Sequence, residues 1–341
     1  MIAGQAFLRW AHIGALLCFS AFAPGAAGAL AARAADVSRG AEPQYPAKPI
    51  RIISPLTAGG SGDALARMVG ETLAEALGQP TVIDNRPGAN GIIGVELVVK
   101  ATPDGYTLLV ASAGPIAINP ALYGAKLPFN VERDLIAITL VATQSFVVHV
   151  SPAFAVKSVK DLIALAQARP GVINFSSSGA GSTAHLMAVL FESLTGVRMT
   201  HVPYKGSVQA RVAVMSRESD LMFDGLLAAL PLIKAGKLRA LGVTAAKRSS
   251  VAPDIPTIAE AGVPGYSADA WYGLFAPRGT PRAVVAKLSD TIIKTLQTKR
   301  EKLIAQGVEP VASTQEEFLK FLQAETVKWA KVVKAAGLKP E

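Results

Sequence analysis

Short apolar runs alternate along the chain with longer segments in which apolar residues recur every three or four positions. The runs predict buried strands at Ile50–Ile53, Thr107–Ala111, Phe146–Val150, Val172–Phe175, Leu221–Phe223, Leu238–Val243 and Tyr272–Phe275. The segments between them predict amphipathic helices. Strands and helices that alternate in this way are typical of an α/β protein whose sheets are largely parallel.

The helix after the first strand has clear ends. It begins near Asp63, ends at Gly78 and is followed by Pro80, as expected where a glycine terminates a helix. Its apolar face is formed by Leu65, Met68, Val69, Leu73 and Leu77. A second helix is predicted over Ser182–Leu194, again with its apolar residues on one face.

Further signals mark helix starts and core positions. Thr257 and Glu260 have the spacing of a capping box, and Thr280-Pro281 predicts an N-cap followed by proline at the first helical position. A long apolar stripe near the end of the chain is predicted to pack into the core, and consists of Phe318, Phe321, Leu322, Trp329, Val332 and Val333.

The N-terminal residues have the three-part layout of a secretory signal peptide. Arg9 is followed by the apolar run Ile13–Phe22 and then by an Ala/Gly-rich stretch, which predicts a signal peptide over residues 1–35. Two small-x-small sites, Ala29–Ala31 and Ala32–Ala34, both fit cleavage. The run is too short to span a bilayer, which needs about 20 apolar residues.

Length and composition indicate a folded, exported protein. The 341 residues are 50% hydrophobic and 17% charged, which excludes a disordered chain and predicts about two domains. Cys18 is the single cysteine, so an internal disulfide and a cysteine-based zinc site are excluded. The chain is predicted to cross from one domain, or lobe, to the other at Val141–Pro152 and at Gly262–Phe275.

The net charge favours an anionic partner. The formal charge is +9, and removal of residues 1–35 takes away two arginines and no acid. Lysines and arginines are dispersed, without the runs typical of nucleic-acid binding. A small anion in the periplasm is therefore expected, and no nucleic acid. No later segment reaches about 18 uninterrupted apolar residues, so the exported chain is expected to be soluble.

Two glycine-rich turns are candidate anion sites. The first joins a strand to a helix and contains Thr57, Ala58, Gly59, Gly60, Ser61 and Asp63. The second repeats the arrangement with Ser178, Gly179, Ala180, Gly181, Ser182 and Thr183. Backbone amides at a helix N-terminus attract a carboxylate or phosphate, particularly where small residues let it approach. If the turns belong to different lobes, they can face each other across a cleft.

Other polar residues remain open in their roles. His185 lies near the second turn, where it either binds an anion or caps the turn, whereas structural roles are expected for His149 and His201. Tyr204 belongs to a turn rich in polar side chains. Asp63 is explained by the start of a helix. Asp224 can accept a hydrogen bond from a ligand or water.

Competing motifs have less support. The spacing Gly179-x-Gly181-x-x-Ala184 fits a dinucleotide fingerprint, but no acidic residue follows at the distance that the ribose contact needs. A phosphate-binding P-loop, an H-E-x-x-H motif and a G-x-S-x-G motif are absent from the sequence. No catalytic residue, metal site or cofactor is predicted.

Several motifs in one order carry a family resemblance. They are Tyr45-Pro46, Pro49-Ile50-Arg51, Gly59-Gly60-x-x-Asp63, Asn85-Arg86-Pro87-Gly88-Ala89, Pro103-Asp104-Gly105-Tyr106-Thr107-Leu108-Leu109, Gly181-Ser182-x-x-His185-Leu186, His201-Val202-Pro203-Tyr204-Lys205-Gly206 and Ala235-Gly236-Lys237-Leu238-Arg239-Ala240-Leu241. With them, residues from about 45 to 335 resemble the Bug family, the periplasmic substrate-binding proteins of tripartite tricarboxylate transporters.

The resemblance implies a type II-like periplasmic-binding-protein fold, in which two α/β lobes joined by two crossing strands close like a flytrap. Lobe 1 is predicted to comprise residues 36–147 and 268–341, and lobe 2 residues 148–267. In this family, the loops corresponding to Thr57–Asp63 and Ser178–Thr183 grasp a ligand carboxylate. These are the same turns that the anion argument selects.

The expected function is capture of a small carboxylate for a membrane transporter, by a monomer without enzymatic activity. The ligand is expected to be a di- or tricarboxylate, an acidic amino acid or an aromatic carboxylate. Two alternatives stay open. One is a secreted hydrolase that uses Ser61 or Ser182 with His185, and the other is a receptor that presents its ligand-bound form to a signalling partner.

Overall fold

The computed structural model describes residues 45–305 and 308–338, so the predicted signal peptide and Cys18 lie outside the described residues. The strands are β1 Ile50–Ser54, β2 Thr81–Asn85, β3 Thr107–Ser112, β4 Leu135–Val150, β5 Asn174–Ser177, β6 Thr200–Pro203, β7 Leu221–Gly225, β8 Arg239–Val243, β9 Asp269–Pro277 and β10 Glu309–Pro310. The α-helices are α1 Ser61–Leu77, α2 Ile92–Val99, α3 Asn119–Tyr123, α4 Val131–Asp134, α5 Val159–Ala168, α6 Thr183–Thr195, α7 Ser207–Ser216, α8 Leu226–Lys234, α9 Arg282–Thr298, α10 Arg300–Ala305 and α11 Gln315–Ala335. The α/β class is therefore confirmed.

One long strand connects two groups of parallel strands. The strand order is β2-β1-β3-β9-β4-β7-β5-β6, with β8 and β10 also paired to β4. Strands β1, β2 and β3 are parallel, as are β5, β6 and β7. Strand β4 pairs antiparallel with β9 up to Ser145 and with β7 from Phe146 onward. The change of partner lies within the predicted passage Val141–Pro152, while the exact lobe boundaries stay a prediction.

The final helix packs its apolar stripe as expected. Phe318, Leu322, Trp329 and Val333 of α11 are buried in a core cluster that also contains Trp271 of β9. The carboxylate of Glu325 accepts hydrogen bonds from the indole Nε1 atoms of Trp271 and Trp329, both at 2.8 Å. This arrangement ties α11 to β9 with both buried indoles satisfied.

The local signals for helix ends have different outcomes in the structure. Gly78 ends α1 in the left-handed conformation at φ 70°, as predicted. Thr257 and Glu260 form the reciprocal bonds of a capping box, each at 3.0 Å, but they close a turn and no helix begins there. The N-cap prediction at Thr280 is wrong, because Pro281 occupies the N-cap of α9 and the Thr280 hydroxyl donates instead to the carbonyl of Pro277, at 2.9 Å.

Strand boundaries depend on burial more than on apolar sequence. The run Val172–Phe175 was expected to start a strand, but Val172 is exposed and β5 begins at Asn174. Strands β2 and β6 escaped the sequence pattern because they are short, mostly half-buried or exposed, and include polar residues. In the described part of the chain no helix is both long and apolar enough to cross a membrane.

Candidate functional site

A cavity of about 720 Å³ lies where the two groups of parallel strands end. Residues that follow β1 and β3 line one side of it, and residues that follow β5, β6 and β7 line the other. Ligands of open α/β sheets bind at the carboxyl ends of the strands, where loops and helix N-termini converge. A volume between about 300 and 1,000 Å³ is usual for a small-molecule site.

The first turn, Thr57–Asp63, leads into α1 and borders the cavity. Gly60 is the N-cap and its successor Ser61 lines the cavity, as do Thr57 and Gly60. The Asp63 carboxylate accepts hydrogen bonds from the Gly59 amide at 2.9 Å and from Arg67 at 3.1 Å. Burial raises the pKa of Asp63, but these bonds outweigh it and leave the pKa below its usual value. Asp63 therefore holds the turn and does not line the cavity.

The second turn, Ser178–Thr183, opens α6 in a similar way. Ser178, Gly179, Ala180, Ser182 and Thr183 line the cavity. The hydroxyl of Ser182, the N-cap residue, accepts a hydrogen bond from the His185 amide at 3.3 Å. The amides of Thr183 and Ala184, the first two residues of α6, have no intrahelical acceptor, so they are available to an anion.

His185 stabilises the second turn from behind. The Gly181 amide donates to His185 Nδ1 at 3.0 Å, and Gly181 adopts a φ of 72°, which a glycine tolerates. The imidazole ring of His185 stacks on that of His201 with centroids 3.9 Å apart. The ring of His185 is not among the groups that line the cavity. Of the two roles that the sequence left open, the geometry supports capping.

Both stacked histidines are held neutral. Burial and the neighbouring His201 lower the pKa of His185 to about 3. Burial lowers the pKa of His201 to about 4, and its Nε2 atom lies 2.6 Å from the hydroxyl of Ser177. A neutral Nδ1 atom is required to accept the Gly181 amide. The geometry of the second turn thus depends on the uncharged state of this pair.

Two further helices begin at the cavity. Ser207, the first residue of α7, and Gly225, the N-cap of α8, both line it. Each helix N-terminus carries a partial positive charge of about half an elementary charge. The N-termini of α1, α6, α7 and α8 therefore act together on whatever occupies the cavity, and the arrangement favours an anion.

Asp224 borders this cavity but is neutralised inside the protein. Its carboxylate accepts hydrogen bonds from Arg211 and from the Gly225 amide, the latter at 2.8 Å. His149 Nε2 lies 3.5 Å from the same carboxylate. Burial raises the pKa of Asp224, but His149 and Arg211 outweigh it and lower the pKa. The carboxylate is committed to these groups, which limits its use as an acceptor for a ligand.

A third loop, Pro87–Gly91, also lines the cavity and was given no role by the sequence. Four consecutive residues from Gly88 to Gly91 have positive φ, including Ala89 at 46° and Asn90 at 49°. The Asn90 amide donates to Asn119 Oδ1 at 2.7 Å, and Asn119 donates back to the Asn90 carbonyl at 3.1 Å. Strained backbone of this kind occurs at ligand sites when its surroundings hold it in place.

The rims of the cavity touch each other. A Cβ atom on Gly206 would overlap the Thr57 side chain, and one on Gly60 would lie 2.7 Å from the Ser207 hydroxyl. A Cβ atom on Gly181 would lie 3.2 Å from the amide nitrogen of Asn90. The first and third loops thus contact residues that follow β5 and β6. The glycines permit an approach for which larger residues have no room.

Ten of the predicted site residues line the cavity, including Tyr204 and Asp224. Ala58, Gly59, Asp63, Gly181 and His185 do not line it. Sequence reasoning missed Tyr123, Phe146, Lys205, Met222 and Tyr272, which do. The Pro87-Gly88 and Asn90-Gly91 pairs were available as turn signals for the third loop. Among the described residues, no cluster of three metal-ligating side chains is present.

Comparisons with known proteins agree with this geometry. Residues 65–338 match the protein-family profile TctC, described as tripartite tricarboxylate transporter family receptor. Protein BugT of Bordetella pertussis is 38% identical over 298 residues, which cover 86% of this chain and 91% of BugT. The solved structures that are similar to this chain are periplasmic solute-binding proteins of the two-lobed type, so the predicted fold is confirmed.

Two of these structures contain a carboxylate. R. palustris Rpa4515 with adipate has a TM-score of 0.84 and 37% identity, and the alignment covers 87% of this chain and all of that one. MatC from Rhodopseudomonas palustris with bound malate has a TM-score of 0.79 and 31% identity, over 85% of this chain and all of that one.

Proposed function

Because this chain belongs to the tripartite tricarboxylate transporter receptor family, we propose that it binds a small carboxylate in its cavity and delivers it to a membrane transporter. The ligand class comprises di- and tricarboxylates, acidic amino acids and aromatic carboxylates. Adipate and malate, which two structural relatives bind, are the first candidates. We also propose that residues 1–35 export the chain to the periplasm and that it acts as a monomer, without nucleic acid.

The single observation that carries this proposal is the convergence of two amide-lined turns on one cavity. Ser61 and Thr183, at the starts of α1 and α6, both line it. A hydrogen bond to a charged group contributes about 1.5–3 kcal/mol, and micromolar binding needs about 8 kcal/mol. About four such bonds, shared between the turns, supply this after desolvation losses.

The walls of the cavity suit an apolar ligand body beside the carboxylate. Leu56, Phe146, Met222 and Tyr272 line it together with Pro115. Ligand sites are commonly apolar, with a few polar groups that fix orientation. This wall supports ligands with an aliphatic chain or a ring and leaves the carboxylate end to the two turns.

Thermal unfolding tests the proposal directly. Protein freed of copurified ligand by unfolding and refolding is mixed with adipate, malate, citrate, glutamate or benzoate at millimolar concentration. A ligand that binds only the folded state raises the melting temperature, so at least one of the five is expected to do so. No shift with any of them would contradict the proposal. Mass spectrometry of molecules released from the denatured protein identifies a ligand outside this set.

A variant in the first turn connects binding to the site. Gly60→Leu places a bulky side chain against Ser207 and the cavity, and we expect it to abolish the ligand-dependent shift. Gly60 is buried, but its φ of −88° is one that any residue adopts, and the melting temperature without ligand establishes that the variant is folded. An unchanged shift in this variant would remove the first turn from the site.

The geometry gives less support to hydrolysis. The ring of His185 accepts the Gly181 amide, and the bond to the Ser182 hydroxyl comes from the backbone of His185. A serine nucleophile needs a base whose ring accepts its proton. Ester hydrolysis that is lost in His185→Ala would favour the enzyme. Capture of a sensor protein by this chain in a pull-down, only when ligand is present, would favour a signalling role.

A further inference from the structure

Gln144 lies at the point where β4 changes partners, and only 1% of its surface is exposed. It pairs with Ala270 of β9, two residues from the pair formed by Ala142 and Tyr272. Residues two apart on a strand point to the same face of a sheet, so Gln144 faces the same side as Tyr272. Tyr272 lines the cavity. The amide of Gln144 thus lies directly behind the ligand site.

The Gln144 amide reaches the first turn of α1. Its Nε2 atom donates a hydrogen bond to the hydroxyl oxygen of Ser61 at 3.1 Å. Its Oε1 atom is buried and has no hydrogen-bond partner among the described residues. A buried amide oxygen without a partner is costly, so burial by itself does not explain a glutamine at this position.

This contact determines where the Ser61 hydrogen goes. A hydroxyl has one hydrogen to donate and two lone pairs that accept. The Gln144 nitrogen is itself a donor, so it occupies a lone pair of Ser61 and cannot accept the hydroxyl hydrogen. Because Ser61 lines the cavity, the hydrogen remains available on the cavity side, beside the free amides of the helix N-terminus.

Gly225 of β7 holds the pair in place. A Cβ atom on Gly225 would overlap the Ser61 hydroxyl and would lie 3.3 Å from Gln144 Nε2. Ser61, Gln144 and Gly225 belong to α1, β4 and β7, so elements from both groups of parallel strands meet at this hydroxyl. The Ser61 side chain is confined and has little freedom to turn away from Gln144.

We propose that Gln144 is a positioning residue, which fixes the Ser61 hydroxyl as a hydrogen-bond donor to the carboxylate of the ligand. The proposal rests on the proposed function, because it assigns a role within the same site. Gln144 acts through Ser61 without itself contacting the ligand. The carboxylate then receives a hydroxyl hydrogen in addition to backbone amides.

The test measures affinity by isothermal titration of the full chain with adipate, and with malate, citrate, glutamate and benzoate if adipate gives no binding heat. Gln144→Leu and Ser61→Ala are each expected to weaken binding about tenfold, the loss of one hydrogen bond to a charged group. The double variant is expected to bind no more weakly than Ser61→Ala, because residues that act as a unit are not additive.

Gln144→Glu separates positioning from packing. An ionised glutamate has the same shape as glutamine, but its carboxylate accepts the hydrogen of the Ser61 hydroxyl. The hydroxyl can then no longer donate that hydrogen to the ligand. Protonation restores a neutral side chain of the same shape, and burial brings the carboxyl pKa toward neutrality. Affinity is expressed relative to wild type at each pH, a comparison that cancels the contributions of the ligand and of the neighbouring groups Asp224 and His149. We expect this relative affinity to be lost at pH 8 and to recover toward pH 5.5.

Gln323→Glu on the exposed face of α11 is the matched control and is expected to bind as wild type does at every pH. Wild-type affinity in Gln144→Leu, or a constant ratio to wild type across pH in Gln144→Glu, would overturn the inference while the proposed function stands. If wild type binds none of the five carboxylates, both fail. Circular dichroism and the melting temperature without ligand establish that each variant is folded.

Discussion

Lys205 differs from the other charged residue that lines the cavity. Asp224 is neutralised by Arg211, whereas Lys205 is exposed and forms no hydrogen bond or ion pair among the described residues. An ammonium group without an acidic partner attracts a second negative charge on a ligand whose first carboxylate occupies the amide turns. At the residue scale, Lys205 is therefore expected to favour ligands with two carboxylates.

Replacing this lysine tests the preference for two charges. Lys205→Met is expected to weaken binding of adipate by about three- to tenfold, the effect of a partly exposed ion pair. Binding of adipate monomethyl ester, which has one charge, is expected to change less. Titration calorimetry with both compounds measures the difference. Lys237→Met, at an exposed lysine outside the cavity, is the control, and equal losses for both compounds would contradict the assignment.

At the scale of an element, the start of α6 depends on the stacked histidines. The Gly181 amide needs a neutral His185 Nδ1, and the pKa values of His185 and His201 are lowered to about 3 and about 4. The unfolded chain has histidines with a pKa of about 6.5. As pH falls below that value, the unfolded state binds protons that the folded state does not, so the free energy of unfolding decreases.

Acid sensitivity is the measurable consequence. The urea midpoint of the wild type is expected to fall between pH 7.5 and pH 5, a window above the lowered pKa values of Asp63 and Asp224. His201→Gln removes one of the two groups, and its midpoint is expected to fall less over the same window. Equal changes in variant and wild type would show that the pair does not carry the effect. Ligand binding at pH 5 reports separately on the turn.

At the scale of the whole molecule, β4 links the two groups of parallel strands while the rims of the cavity meet across it. Thr57 follows β1, and Gly206 follows β6. Gly206 lies so close to the Thr57 side chain that a Cβ atom on Gly206 would overlap Thr57 Cγ2 and lie 2.7 Å from its Oγ1. Because this approach brings both amide turns to one cavity, we expect closure of the cavity and affinity for the ligand to be coupled.

Gly206→Ala tests that coupling. The φ of Gly206 is 175°, extended backbone that alanine adopts, so the nearest obstacle is the Thr57 side chain. Affinity for the best carboxylate is expected to fall more than tenfold with an unchanged melting temperature in its absence. Small-angle scattering is expected to detect a smaller ligand-induced compaction than in wild type.

A variant of Thr57 tests whether the loss of affinity in Gly206→Ala is steric. Thr57→Ala removes the hydroxyl and methyl atoms that Gly206→Ala would meet, so adding it to that variant is expected to restore part of the affinity. The single variant Thr57→Ala measures any direct contact of Thr57 with the ligand. No recovery in the double variant, once that effect is subtracted, would show that the steric contact across the cavity does not limit closure.

The two amide turns could be predicted from the sequence because their residue types are recognisable locally. A glycine- and serine-rich stretch between a strand and a helix identifies backbone amides that can bind an anion, and ten of the fifteen candidate residues line the cavity. The role of His185 stayed open because the direction of its ring is decided by Phe175 and His201. Lys205 and Tyr272 were missed as ligand-facing residues, because no local pattern indicates which polar side chains face a shared space.

The order of apolar and polar residues by itself determined the α/β class, the helix that Gly78 ends and the two amide turns, since each depends on neighbours within a few positions. Only the tertiary structure decided that the Asp224 carboxylate is paired with Arg211, that His185 caps a turn and that Gln144 donates a hydrogen bond to Ser61, 83 positions earlier in the sequence. These contacts join residues between four and 83 positions apart, and their geometry depends on how the strands and helices pack together, which no local sequence pattern encodes.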